Sequence, residues 1–273
     1  MTDDGLARHT YATGTGVALV LLPGFPLDRR MWDDVAALLP GGRTVLALDP
    51  PGMGRSPRPT DVARALGVDP EPSLDTAADA VAAALRAAGI GRAVVAGLSM
   101  GGYTAMALLE RHPGLVAGLA LVDTRSTPDD DAARANRLRV ADTVLAAGTL
   151  DALDGTPLSL LGADSRSGRP ELVERLRGWI GDEGPEGVAW SQRAMAARPD
   201  RTSVLAGFVG PAVVVVGEQD ELTPVSAAEH MVAALADAEL VVVPEAGHMS
   251  SVEAPEPVAG ALTRLLARVD ARG

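Results

Sequence analysis

Apolar residues along this chain fall into short unbroken runs, separated by stretches in which they recur every three or four positions. The runs are Val17–Leu22, Thr44–Leu48, Ala93–Ala96, Leu119–Val122, Ala212–Val216 and Leu240–Val243. A strand apolar on both sides must be covered on both faces, which is the condition inside a parallel sheet. Helical periodicity marks Met31–Leu39, Thr76–Ala88, Tyr103–Arg111, Ser226–Leu235 and Pro257–Arg268. This alternation predicts right-handed βαβ units and an α/β fold, a doubly wound, mostly parallel sheet with helices on both faces. Tyr11 and the turn Gly14-Thr15-Gly16 ahead of Val17 predict an antiparallel hairpin at the N-terminal edge.

The alternation stops between Ser126 and Leu205. Helix-like pieces cover Asp131–Ala146, Glu171–Trp179 and Gly187–Ala196, Gly155–Gly168 reads as a loop, and no strong strand pattern occurs. The expected organisation is a core of residues 1–125 and 206–273, with residues 126–205 inserted as a helical cap over the carboxyl edge of the sheet.

With 47% hydrophobic residues among 273, the chain can bury a full core. Its net charge of −12, with no basic cluster, argues against nucleic acid or an anionic membrane as partner. No apolar run approaches the roughly 20 residues of a membrane span. Met1–Gly5 shows neither a basic nor an apolar leader segment. A cytoplasmic monomer or homodimer is the expectation. The absence of cysteine excludes disulfides, thiolate catalysis and thiolate metal sites. No Gly-rich phosphate loop follows a strand and no histidines pair at i, i+4, so neither cofactor nor metal is expected.

The chemistry concentrates at Gly97-Leu98-Ser99-Met100-Gly101-Gly102, between the run Ala93–Ala96 and the helix pattern Tyr103–Arg111. A Gly-x-Ser-x-Gly in that context is a turn too tight for side chains at its outer positions. The glycines let the serine sit at the apex with strained torsions and an exposed hydroxyl. Such a hydroxyl becomes a nucleophile only when an oriented base takes its proton. Of the four histidines, His9 precedes the sheet, His112 ends a helix and His230 lies inside one. His248 alone follows a strand in a loop, behind Gly247, and is the candidate base. Two acids satisfy the chain order Ser…Asp…His, Asp220 after Ala212–Val216 and Asp123 after Leu119–Val122. Asp220 is preferred, because its longer loop lets the carboxylate reach the histidine; Asp123 stays as the alternative.

Negative charge building on a carbonyl oxygen needs donors. The Met100 N–H, next to the serine, is one. The second is expected from Pro23-Gly24-Phe25-Pro26, where the Gly24 turn leaves the Phe25 N–H free and Pro26 has none. Trp32, Tyr103 and Trp190 are the candidate substrate-binding side chains, Trp190 because Ala189 and Met195 nearby suggest an inward helix face. Small apolar walls favour a short or medium acyl ester. Arg125, Arg134, Arg137 and Arg139 read first as a solvated helix face, and otherwise as holders of a substrate carboxylate.

Five segments together, LLPGFPLD at Leu21–Asp28, DPPGMGRS at Asp49–Ser56, GLSMGG at Gly97–Gly102, GEQDELTP at Gly217–Pro224 and AGHMS at Ala246–Ser250, resemble the α/β-hydrolase family over most of the chain. Within it the chain is similar to small bacterial carboxylesterases, 3-oxoadipate enol-lactonases and cofactor-free haloperoxidase-like perhydrolases. The resemblance implies an eight-stranded core, a helical cap and no cofactor. Branches with aspartate at the nucleophile position do not match Ser99. The family usually has His-Gly where this chain has Pro23-Gly24, which keeps the backbone donors but removes a polar side chain that braces the loop. The expected function is a serine hydrolase of small, largely apolar carboxylic esters, working through an acyl-enzyme. Enol-lactone hydrolysis or perhydrolysis on the same residues is the alternative, and a triad-retaining small-molecule sensor is the alternative of another class.

Overall fold

Seven strands, β1 (Arg8–Ala12), β2 (Gly16–Leu22), β3 (Arg43–Leu48), β4 (Ala93–Leu98), β5 (Val116–Val122), β6 (Ala212–Gly217) and β7 (Ala238–Val243), pair in the order β1-β3-β2-β4-β5-β6-β7. Every neighbouring pair is parallel except β1 with β3. The structure is a computed structural model that describes residues 5–272; Met1–Asp4, part of the segment read for a leader, lie outside it.

Side-chain alternation along each central strand divides the core into two layers. Val20, Val95, Leu121 and Val214 face the helices Leu74–Ala87, Met100–Arg111 and Val225–Ala234, where Val81, Met106 and Met231 are buried with them. Their neighbours Leu21, Ala96, Val122 and Val215 face Asp33–Ala37 and Pro255–Asp270, against Val35, Leu262 and Leu265. Each such valine, leucine or methionine side chain, fully removed from water, contributes roughly 1.5–3 kcal/mol. This is why β4 and β5 are apolar at every position: all their residues are buried. β7 differs, because as an edge strand it is only partly covered, and Val242 is 40% exposed.

The expected N-terminal hairpin does not form. Both edges of β2 are taken by β3 and β4, so β1 adds antiparallel to the open edge of β3. The described residues form seven strands where the resemblance implies eight.

Between β5 and β6 the described residues form no strand. They form six α-helices: Asp131–Ala147, Thr156–Leu160, Ala163–Gly168, Pro170–Gly181, Pro185–Ala196 and Thr202–Ala206. The first starts where the Asp130 side chain accepts the Ala133 N–H, and stops at Gly148, whose φ of +67° suits a residue without Cβ. Gly155–Gly168, expected as a loop, holds two of the short helices. Leu160, Leu161 and Ser165 are buried there, and packing overrides the weak local propensity. No helix among the described residues is long and apolar enough to cross a membrane.

Candidate active site

β4 ends at Leu98 and the next helix begins at Met100, so Ser99 alone makes the turn. Its φ is +51° and its ψ −112°, a conformation whose strain is on the order of 1–3 kcal/mol. The surroundings hold it there. The Ser99 N–H donates to Val122 O (2.9 Å), and Ser99 O accepts from Thr124 Oγ1 (2.9 Å) and the Tyr103 N–H (3.1 Å). Space requires the flanking glycines, since a Cβ on Gly97 would stand 2.2 Å from Gly101 O, and one on Gly101 would stand 2.1 Å from Leu22 O.

His248, in the loop after β7, lies with Nε2 2.8 Å from Ser99 Oγ and Nδ1 2.8 Å from Asp220 Oδ2. An ionised carboxylate only accepts, so Nδ1 carries the proton and Nε2 is left to accept from the serine. Asp220 is buried and held by its own loop. Thr223 Oγ1 donates to Oδ2 (2.6 Å), and the N–H groups of Leu222 and Thr223 donate to Oδ1 (2.8 and 2.9 Å). Burial works to raise this carboxyl. The hydrogen bond and charge of His248, with the Thr223 donors, outweigh it and hold Asp220 below the usual carboxylate range.

Asp123 is not bonded to His248. Fully buried at the end of β5, with φ +43°, it accepts from the Gly217 N–H (2.9 Å), the Ser250 N–H (3.1 Å) and Ser250 Oγ (2.5 Å). It therefore clamps the ends of β5 and β6 to the histidine loop. Burial and the neighbouring charge of Asp220 push its carboxyl well above the usual range, against those donors.

Two further side chains shape the site and were not singled out from sequence. Buried Glu253 takes the Gly247 and Met249 N–H groups on Oε1 (2.9 and 3.3 Å) and the Gly162 N–H on Oε2 (2.8 Å), tying the histidine loop to the helices between β5 and β6. Its only signal was an acid five residues past His248, between Val252 and Ala254. Thr223 bonds its own loop's Asp220, and a hydroxyl three residues past an acid was the available clue.

A cavity of about 430 Å³ opens over Ser99 and His248, at the carboxyl edge of the sheet where α/β proteins bind ligands. Phe25 and Tyr103 line it, and Val140, Leu160 and Met195 reach it from the helices between β5 and β6. Among the described residues, neither the Phe25 nor the Met100 N–H donates to a protein acceptor. The loop lacking the family's histidine is braced instead by the Gly24 N–H on Met31 Sδ (3.1 Å) and the Leu27 N–H on Gly24 O (2.9 Å). A larger hollow of about 600 Å³ lies at the opposite ends of β5 and β6, near Glu110, Phe208 and Arg272, and neither Ser99 nor His248 lines it.

Of the three expected substrate-binding side chains, only Tyr103 lines the cavity. Trp32 is fully buried in the core layer beneath the Phe25 loop. Trp190 packs into the other layer and borders a separate hollow with Arg58 and Pro59. Helix Pro185–Ala196 turns Gln192 and Met195 toward the cavity, and Trp190, two residues from Gln192, lies about 200° around the axis. The walls are also less apolar than expected, because Arg125, Arg137 and Arg139 line them; Arg134 alone stays outside. Ala133, Asn136, Arg137 and Val140 form an i, i+3, i+4, i+7 stripe along the cavity, so Arg137 faces inward rather than lying on the solvated helix face first expected.

A parallel α/β sheet with a strained serine at a strand–helix turn, bonded to a loop histidine, defines a hydrolase class. The chain belongs to the α/β hydrolase fold family, whose model matches residues 17–255. It is 34% identical over 89% of its length to the dihydrolipoyllysine-residue acetyltransferase component of the acetoin cleaving system of Pseudomonas putida, and spans 61% of that protein. It is 31% identical to a pimeloyl-(acyl-carrier protein) methyl ester esterase of Chromobacterium violaceum, over 86% of this chain and 88% of that one. A thermophilic esterase from Thermogutta terrifontis, solved with malate bound, matches with a TM-score of 0.88 at 35% identity, covering 97% of this chain and 93% of the other.

Proposed function

We propose that the protein is a serine hydrolase of small carboxylic esters. The observation that carries this is the unbroken hydrogen-bond chain from Ser99 Oγ through His248 to Asp220. In this reading Ser99 Oγ attacks the acyl carbon while His248 Nε2 takes the hydroxyl proton. Asp220 fixes the imidazole tautomer and stabilises the imidazolium. The Phe25 and Met100 N–H groups receive the oxyanion, a contribution worth about 2.7–4 kcal/mol for one such donor. The C–O bond to the alcohol then breaks, His248 returns the proton to that oxygen, and an acyl-Ser99 ester remains. Water repeats the sequence, giving the acid and free serine. Residues 126–205 act as a cap that narrows the cavity and selects the substrate.

The esterase names carried by relatives at 31% and 35% identity support this chemistry. The test is fluorophosphonate labelling, with turnover of p-nitrophenyl acetate, p-nitrophenyl butyrate and 3-oxoadipate enol-lactone. Labelling and ester turnover lost together in Ser99→Ala are expected. Labelling that survives the substitution removes Ser99 from the mechanism. Turnover confined to the lactone moves the substrate class, and no turnover with ligand-induced melting shifts favours a sensor.

A further inference from the structure

The cationic lining of the cavity is unusual in a chain with a net charge of −12. Three arginines, Arg125, Arg137 and Arg139, reach the walls that hold Ser99 and His248, and Asp129 is the one acid among the described lining residues. Asp129 is already shared. Its Oδ2 accepts from Arg137 Nε (2.5 Å) and its Oδ1 from Arg198 Nη2 (2.7 Å), and Arg198 stacks over the ring of Tyr103 at 4.2 Å. One carboxylate facing two guanidiniums leaves this wall with a net positive charge. Asp220, the other ionised acid nearby, is buried under His248 and is not part of the lining.

Arg125 and Arg139 have no ion-pair partner among the described residues. Arg125 Nη2 donates to Leu222 O (2.5 Å), which pins the guanidinium, while its Nε is buried with no acceptor. Arg139 Nη2 donates only to the neutral Asn136 Oδ1 (2.6 Å). A buried charged donor left without an acceptor is unfavourable, and an anion drawn to the same guanidinium offsets part of that cost. A guanidinium fork also suits a planar carboxylate.

We infer that the cavity takes an ester whose far end carries a carboxylate, with Arg125 and Arg139 holding that group while the ester carbonyl lies at Ser99. This rests on the ester-hydrolase reading for its second half, but the anion subsite itself is testable without turnover. Arg137, which shares Asp129 with Arg198 and is bonded to Gln192 Oε1 (3.1 Å), positions the wall. The inference replaces the largely apolar ester expected from sequence with a half-ester of a short dicarboxylic acid.

The experiment compares monomethyl succinate and monomethyl adipate with their dimethyl esters, which share chain length but lack the charge. Binding is measured by calorimetry on Ser99→Ala protein, and hydrolysis on the intact enzyme. One charge-assisted contact corresponds to about a tenfold preference or more. The expected result is that at least one monoester binds tenfold or more tightly than its diester. That preference weakens with added salt and collapses toward unity in the Arg125→Gln/Arg139→Gln variant, with melting temperature as the folding control. In turnover, the loss appears in KM rather than in kcat. Equal binding of mono- and diester at both lengths, or a preference that survives the double substitution, overturns the inference. Absence of all ester turnover overturns the hydrolase reading instead, while the calorimetric comparison still decides the subsite.

Discussion

Ser250 gives both its amide and its hydroxyl to the carboxylate of Asp123, at 3.1 and 2.5 Å, two residues past the histidine that contacts Ser99. The two acids that end adjacent strands therefore have separable tasks. Asp220→Asn should cost on the order of 10⁴ in kcat, because the amide leaves the imidazole in the wrong tautomer. Asp123→Asn turns one acceptor into a donor opposite the Ser250 and Gly217 amides. It should lower the melting temperature and reduce kcat by no more than about 100-fold. Steady-state kinetics beside thermal melts checks both, and equal losses of kcat would erase the distinction.

Glu253 satisfies three backbone N–H groups of two separate loops. Glu253→Ala leaves them buried without acceptors, so a stability loss of about 3 kcal/mol is expected in urea unfolding. Because Gly247 adjoins His248, kcat should fall as well, with KM for a neutral ester little altered.

Burial pushes the Glu183 carboxyl up to about 7, only partly opposed by the Gly54 N–H at 2.7 Å, with Asp28 and Asp49 adding repulsion and Arg30 opposing it. A group with a raised folded value binds its proton more readily in the native state than in the unfolded one. Its contribution is intact below about 4.5 and is lost as pH rises through about 7. Glu183→Gln should thus gain stability relative to the parent between pH 5 and pH 8, by at most about 3 kcal/mol at the top of that range. Urea midpoints of the two proteins across the range measure it; parallel curves would show that Glu183 titrates at its ordinary value.

Trp190 lies on the face of its helix away from Ser99, whereas Met195 reaches the cavity. Trp190→Phe should keep KM within about twofold while lowering stability modestly. Met195→Ala should change KM for acyl chains of different length. Trp32→Ala, which empties a fully buried site, should destabilise by about 3–5 kcal/mol without changing selectivity among folded molecules.

Local sequence by itself determined the alternation of strands and helices, the break near Ser126, the strained turn at Ser99 and the loop setting of His248. Each follows from the spacing of apolar residues or from glycines at a tight turn, which neighbours a few residues apart dictate. Tertiary structure decided what depends on residues far apart in sequence. It sent β1 to the free edge of β3 rather than into a hairpin, and made the stretch 156–168 helical by burying Leu160 and Leu161. It brought Asp220 rather than Asp123 to within 2.8 Å of His248. It also aimed Arg125, Arg137 and Arg139 into the cavity and turned Trp190 away. These outcomes depend on which strand edge is vacant, which helix face is already packed and which backbone amides need an acceptor, and no local pattern encodes those conditions.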